Sequence, residues 1–339
     1  MKKTLVLLTS AVLPACASPP EPLPYEIREI QAVVETDGMP DVGDLADDPA
    51  IWVHPTSPEQ SLILGTNKAT GLYVFGLDGK QRQQLLIGQL NNVDARTNVA
   101  VASNDEANTL SWFRIDAATA AVTHWGDTPL TRNEPYGICF GVIDEQFVAA
   151  PTFKDGAVEL WRLDRSDSET PTATLQRTIQ LPGQLEGCVF DDEHRRLFIG
   201  EEEYGIWVVD LTDPVSRPGL VDAIRNGNGL VADAEGLSLY RQADGAGYLV
   251  ASAQAKDRFV IYDRQPPYAV RGAVTIAANE ALGIDAVTHT DGIDIVSAPL
   301  PGFPLGVMAV QDDGNPASEQ AQNFKLVDWR HVKEALALD

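Results

Sequence analysis

Asp47-Asp-Pro-Ala-Ile-Trp-Val53, Leu62-Ile-Leu-Gly-Thr66 and Gly71-Leu-Tyr-Val-Phe75 are three short apolar segments separated by polar turns. The same order returns along the chain. A second copy reads Asn92-Val-Asp-Ala-Arg96, Val99-Ala-Val-Ala-Ser103 and Leu110-Ser-Trp-Phe-Arg114, and a third Tyr136-Gly-Ile-Cys-Phe140, Phe147-Val-Ala-Ala-Pro151 and Val158-Glu-Leu-Trp-Arg162. Further copies begin at Glu186-Gly-Cys-Val-Phe190, Glu235-Gly-Leu-Ser-Leu239 and Asp291-Gly-Ile-Asp-Ile295. Segments this short, rich in β-branched and aromatic residues and bounded by Gly, Asp and Asn, are strands joined by hairpins. Several strands repeated every ~40 to 55 residues make propeller blades. The expected fold is therefore all-β, a six-bladed β-propeller. Outer strands are visible at Arg82 to Ile87 and Thr174 to Leu181, but the sixth copy lacks one after Val327. The segment Ile27 to Val34 is expected to supply it and close the ring. Helical periodicity is convincing only around Trp329 to Leu338.

Outward from the repeats, residues 1–16 read as an export signal: Lys2 and Lys3, an apolar run from Thr4 to Leu13, then Ala15 before Cys16. Leu13-Pro-Ala-Cys16 resembles a bacterial lipoprotein signal with Cys16 lipidated, and ordinary signal cleavage nearby is the alternative. Residues 17–25 read as a flexible tether, and residues 26–339 as one propeller domain. The placement is exported, periplasmic or on the cell surface, with membrane contact only through an N-terminal lipid, and the protein is expected to be a monomer. Cys139 and Cys188 lie one position out of phase in similar segments and read as buried free thiols. The formal net charge of −24 disfavours nucleic acid and anionic membrane surfaces as partners.

Position gives that charge a meaning. The innermost strand of a blade starts near one mouth of the central channel, and the starts here hold Asp47/Asp48, Asp94, Tyr136, Glu186, Glu235 and Asp291. Others join from second strands or nearby loops: Glu201, Glu202 and Glu203 after Leu197-Phe-Ile-Gly200, Asp233 before Glu235, and Gln311-Asp312 after the sixth blade's second strand, while Asp285 and Asp294 flank the sixth start. Crowded carboxylates cannot all stay ionised without cations. Hard oxygen donors in number, without thiolates or paired histidines, select Ca²⁺. His54, His124, His194, His289 and His331 show no metal-ligand spacing. Each acid alone has an equally good reading as a turn former, and the set is what favours metal. Lys68 and Lys154 follow the second strands of blades one and three, on the same mouth, and suit a multiply charged anion such as a phosphate ester. Alone, each reads as a solvated surface charge.

With these segments in hand, the chain resembles the β-propeller phytases from about Val42 to about Trp329. The resemblance is carried by Asp47-Asp-Pro-Ala-Ile-Trp-Val-His-Pro55, Thr66-Asn-Lys68, Leu90-Asn-Asn-Val-Asp94, Glu186-Gly187 and Gly200-Glu-Glu-Glu203. Glu235-Gly-Leu237, Ile261-Tyr-Asp-Arg264, Thr290-Asp-Gly-Ile-Asp294 and Val310-Gln-Asp312 complete it. It implies a 3-phytase-type phosphoric monoester hydrolase that cleaves phytate with several Ca²⁺ ions and a metal-activated water, one subsite holding a second phosphate. It further implies Asp48, Asp94, Glu186, Glu201, Glu202, Glu235, Asp285 and Asp291 as calcium ligands or their partners. Glu186, Glu202, Asp94 and Tyr136 would be catalytic, and Lys68, Lys154, Asn91 and Gln254 would contact substrate. No serine–histidine pair or Arg-His-Gly loop offers a covalent nucleophile.

Two departures qualify the resemblance. After Ala102-Ser103-Asn104 the family commonly has an arginine, where this chain has Asp105, followed by Glu106. Arg96 and Arg114 are the candidates to replace it. His289 stands where relatives often carry another acid. An alternative function is an exported propeller that binds calcium and a ligand without turnover.

Overall fold

The computed structural model describes residues 22–40, 43–164, 169–314 and 322–339. Six sheets, antiparallel except for one added strand, surround a channel. From the channel outward, blade one is Ala46–Trp52, Leu62–Asn67, Gly71–Gly76 and Gln81–Leu86. Blade two is Leu90–Arg96, Val99–Asn104, Thr109–Asp116 and Ala121–Pro129, and blade three Pro135–Ile143, Gln146–Phe153, Ala157–Asp164 and Thr172–Gln180. Blade four is Leu185–Asp191, Arg196–Glu201, Gly205–Asp210 and Gly219–Ala223. Blade five is Ala234–Arg241, Gly247–Ala253, Arg258–Asp263 and Val270–Ala277, and blade six begins Ile293–Val296, Val307–Asp312 and Asn323–Asp328. One helix, Trp329–Leu336, follows, its N-terminus capped by the Asp328 side chain on the Arg330 N–H at 2.9 Å.

The apolar runs are nearly continuous because both faces of every blade are covered. Alternate residues point to opposite faces, so each strand feeds two joints. Leu62 and Leu64 pack with blade two, whereas Ile63 between them packs with blade six. Val99 and Val101 face blade three, and Ala100 and Ala102 face blade one. The buried residues accordingly form one apolar cluster at each of the six joints. Each fully buried Leu, Ile or Phe contributes about 1.5–3 kcal/mol.

Ring closure differs from the expectation. The segment expected as one strand serves two blades: Arg28–Gln31 adds a fifth, parallel strand to blade five, and only Val34–Glu35 pairs with Asn323–Asp328 of blade six. A two-residue strand is a weak clasp, and charge reinforces it. Lys325, fully buried, places its Nζ 2.8 Å from Glu35 Oε2, 2.7 Å from Asp285 Oδ1 and 2.6 Å from Asp312 Oδ2. The contacts begin before residue 26, because the Tyr25 hydroxyl donates to the Asn228 carbonyl. Residues 1–21, where the export signal, Cys16 and most of the tether are expected, lie outside the described residues.

The free-thiol expectation is overturned: Cys139 and Cys188 form a disulfide between the inner strands of blades three and four, with Cα atoms 5.6 Å apart. The phase offset that argued against pairing is what pairing requires. Cys139 points forward out of blade three and Cys188 back out of blade four, so a one-residue shift turns both into the same joint.

Candidate active site

Five inner strands open with the same irregularity. In blade one, Ala46 pairs Asn67 and Pro49 pairs Gly65, so Asp47 and Asp48 together oppose one residue. This bulge recurs at Asn91/Asn92, Tyr136/Gly137, Glu186/Gly187 and Glu235/Gly236. Asp291/Gly292 stand in the same place just before the paired strand of blade six. A bulge twists the strand and re-aims its side chain, here toward the axis. The glycines permit it, since a Cβ on Gly137 or Gly187 would overlap the Glu186 or Glu235 carbonyl of the next blade. Hydroxyls fix the spacing: Ser103 Oγ donates to Tyr136 O at 2.5 Å, Thr152 Oγ1 to Glu186 O at 2.7 Å and Ser252 Oγ to Thr290 O at 2.7 Å.

A second ring follows the second strands: Lys68, Asp105, Lys154, Glu202, Gln254 and Asp313. In five of them the backbone N–H binds the chain entering the inner strand, at Leu45, Gln89, Gln184, Asp233 and Thr288, over 2.8, 3.0, 3.1, 3.1 and 3.1 Å respectively. The rings frame a cavity of about 410 Å³ lined by Lys68, Tyr136, Glu186, Glu202, Glu235, Gln254, Asp291 and Asp313, among others. Lys154 Nζ sits 4.4 Å above the Tyr136 ring.

The charges in this cavity are out of balance. Burial, and then Glu235, holds the Glu186 carboxyl well above the carboxylate range, and burial pushes Glu235 up to about 8. Burial also raises Glu202, against a 2.6 Å bond from Gln184 Nε2. One oxygen from each of Glu186, Glu202 and Glu235 falls within 4.8 Å of the others. Both Asp47 oxygens and Glu235 Oε2 are buried without a hydrogen-bond donor, Lys68 Nζ being 3.4 Å from Asp47. Burial would depress Lys68, but Asp47, Asp291 and Asp44 outweigh it and hold the ammonium above its usual range. Burial, then Glu186, raises the Tyr136 phenol. An all-oxygen donor set with orphaned buried carboxylate atoms fits a hard divalent cation.

The structure thus brings together Glu186, Glu202, Glu235, Asp291, Lys68, Tyr136 and Gln254, with Gln254 Nε2 donating to Asp291. Asn91 occupies the bulge position of blade two and is 7% exposed. Other expected ligands lie elsewhere. Asp94 is corrected by register: the equivalent of Glu186 in blade two is Asn91, and Asp94 lies three residues further along the channel. There Asp94 pairs with Arg96 Nη1 at 2.8 Å and accepts from the Phe140 N–H at 2.8 Å. Burial, countered by Arg96, still raises it to about 6. Asp48 also faces down the channel and accepts from the Val93 N–H at 3.1 Å. Glu201 is buried against Trp207, accepting from its Nε1 at 2.7 Å, and Asp285 holds Lys325. The candidates for a replacement arginine are engaged away from the mouth, Arg96 with Asp94 and Arg114 over the Trp125 ring at 3.9 Å. Asp47, Asp105 and Asp313 are the acidic members of the rings that the expected ligand set lacked. The bulge, shared by five blades, is the signal that selects Asp47 over Asp48.

A family model described as Phytase matches residues 2–339. Over 361 aligned residues the chain is 35% identical to the 3-phytase of Bacillus subtilis (strain 168), covering 98% of this chain and 94% of that protein.

Proposed function

The chain belongs to the phytase family, and on that premise we propose that it hydrolyses phosphate monoesters of phytate as a 3-phytase-type enzyme, with Ca²⁺ held at the mouth. The observation that carries the reading is the buried carboxylate set with unpartnered oxygens on Asp47 and Glu235, with Lys68 beside it and Lys154 over the Tyr136 ring. Glu186, Glu202, Glu235, Asp291 and Asp47 would hold the cations. When bound, divalent cations draw electron density from phosphoryl oxygens and lower the pKa of water.

The remaining work falls to the chain itself. Lys154, exposed and braced on Tyr136, and Lys68 hold non-reacting phosphoryl oxygens by charge-assisted hydrogen bonds. Glu202, half-buried and oriented by Gln184, takes the proton of the attacking water at a carboxylate oxygen, and Glu186 stands beside it for the same transfer. Gln254 fixes Asp291 by donating to its carboxylate. The products are phosphate and lower inositol phosphates. A disulfide between two channel strands supports an exported, oxidising location.

The test is phosphate release from phytate by the purified protein, with added calcium and with excess chelator. Calcium-dependent release is expected. No release from a protein whose melting temperature calcium still raises would replace this reading by a non-catalytic binding propeller.

A further inference from the structure

Below the bulges, the inner strands are tied across the joints by single side chains. Asp48 Oδ2 accepts from the Val93 N–H at 3.1 Å between blades one and two, and Asp94 Oδ2 from the Phe140 N–H at 2.8 Å between two and three. Arg241 Nη2 donates to the Phe190 carbonyl at 2.7 Å between four and five. Ser238 Oγ accepts from the Ile295 N–H at 3.0 Å between five and six, and Asp294 Oδ2 from the Ile51 N–H at 2.8 Å between six and one. Between blades three and four this level is occupied by the Cys139–Cys188 disulfide, both sulfurs buried in the joint. One tie is covalent.

That joint carries two groups central to the site. Cys188 lies two residues from Glu186 and Cys139 three from Tyr136. Above the bridge the two strands touch: the Gly137 backbone leaves no room for a Cβ beside the Glu186 carbonyl, which Thr152 Oγ1 also holds at 2.7 Å. The apolar cluster of this joint and one hydroxyl bond hold the blades together without fixing their relative height, whereas a covalent link two residues below does. We propose that the Cys139–Cys188 bridge is a positioning cross-link of the active site, fixing Glu186 against Tyr136 across the joint and thereby setting the mouth's affinity for its cation. The inference rests on the calcium-dependent phytase reading above. The sulfurs touch neither substrate nor cation, so the bridge acts through the placement of Glu186.

The test compares wild type, the Cys139→Ala/Cys188→Ala variant of the full chain, and wild type reduced under native conditions with a phosphine. Half-saturating calcium, KM and kcat for phytate are measured well below the melting temperature, together with the rise in melting temperature at fixed calcium. A lower melting temperature alone follows from losing any disulfide and does not count. The expected result is a half-saturating calcium concentration raised about tenfold, with a smaller calcium-induced rise in melting temperature and kcat largely recovered at saturating calcium. If wild type is active and the folded, bridge-free protein matches its half-saturating calcium, the inference is overturned. A variant that folds under no condition assigns the bridge to folding and overturns it equally. If wild type itself releases no phosphate, the phytase reading fails, and the calcium-induced melting shift decides the cross-link on its own.

Discussion

Blades four to six surround the cavity with Glu186, Glu202, Glu235, Asp291 and Asp313, while blades one to three place Lys68, Asn91, Asp105, Tyr136 and Lys154 at the equivalent positions. The backbone plan recurs in both arcs: a two-residue bulge in five blades, a hydroxyl or amide to the next blade, and, in five blades, a turn after the second strand bound to the entering chain. Only the side chains differ. One arc gathers anionic oxygens beyond what local donors satisfy, and the other offers ammonium groups and neutral donors with one acid, Asp105, between them. Asp47 crosses this division, since it belongs to blade one yet leans toward Lys68 and the acidic arc. A propeller can thus build a cation seat and an anion seat side by side without altering its fold.

The comparison breaks most sharply at Glu186. Its replacement by Gln removes a charge but keeps the shape, and phytate hydrolysis should fall at least about a hundredfold with the fold retained. Activity within a few-fold of wild type would remove the acidic arc from the mechanism.

Asp94 sharpens the contrast from below, because its charge serves Arg96 rather than the mouth. Asp94→Asn should cost roughly 3 kcal/mol of stability while half-saturating calcium stays that of wild type. A shift in calcium affinity without a loss in denaturant midpoint would return Asp94 to the metal site.

The pH dependence of the metal-free protein is a third, smaller effect. Burial raises Glu235 from its ordinary 4.5 to about 8. Between those values the unfolded chain has lost this proton and the folded chain keeps it, so stability falls as pH rises through the window. In chelator the melting temperature should therefore decline from about pH 4.5 to about pH 8, and calcium should raise it most at the upper end. A calcium effect that is flat across this range would contradict the seat.

Smallest is Asp105→Asn, which removes an acid between the two lysine positions. It should lower KM for phytate by less than about fivefold, read at saturating calcium; a raised KM would mean that Asp105 itself holds a cation.

Much of this was legible in the residues. Strand chemistry and the repeat give six blades, and Glu186, Glu235 and Asp291 announce themselves as acids ahead of a glycine. What stayed hidden depends on register. A bulge moves the axial position from Asp94 to Asn91, and no composition or period marks it until the pairing is known. The same holds for Glu201, whose neighbours Glu202 and Glu203 look identical in sequence although only Glu201 lies under Trp207. The disulfide was missed for the opposite reason: a phase shift was visible, but its meaning follows only once alternate residues are assigned to opposite joints.

The division of the mouth is tested most directly by measuring half-saturating calcium and KM for phytate side by side in Glu235→Gln and Lys154→Ala. Glu235→Gln should raise half-saturating calcium and leave KM at saturating calcium nearly unchanged, whereas Lys154→Ala should raise KM and leave the calcium dependence alone. If both variants move the same parameter to the same extent, the two arcs are not separate seats and the account fails.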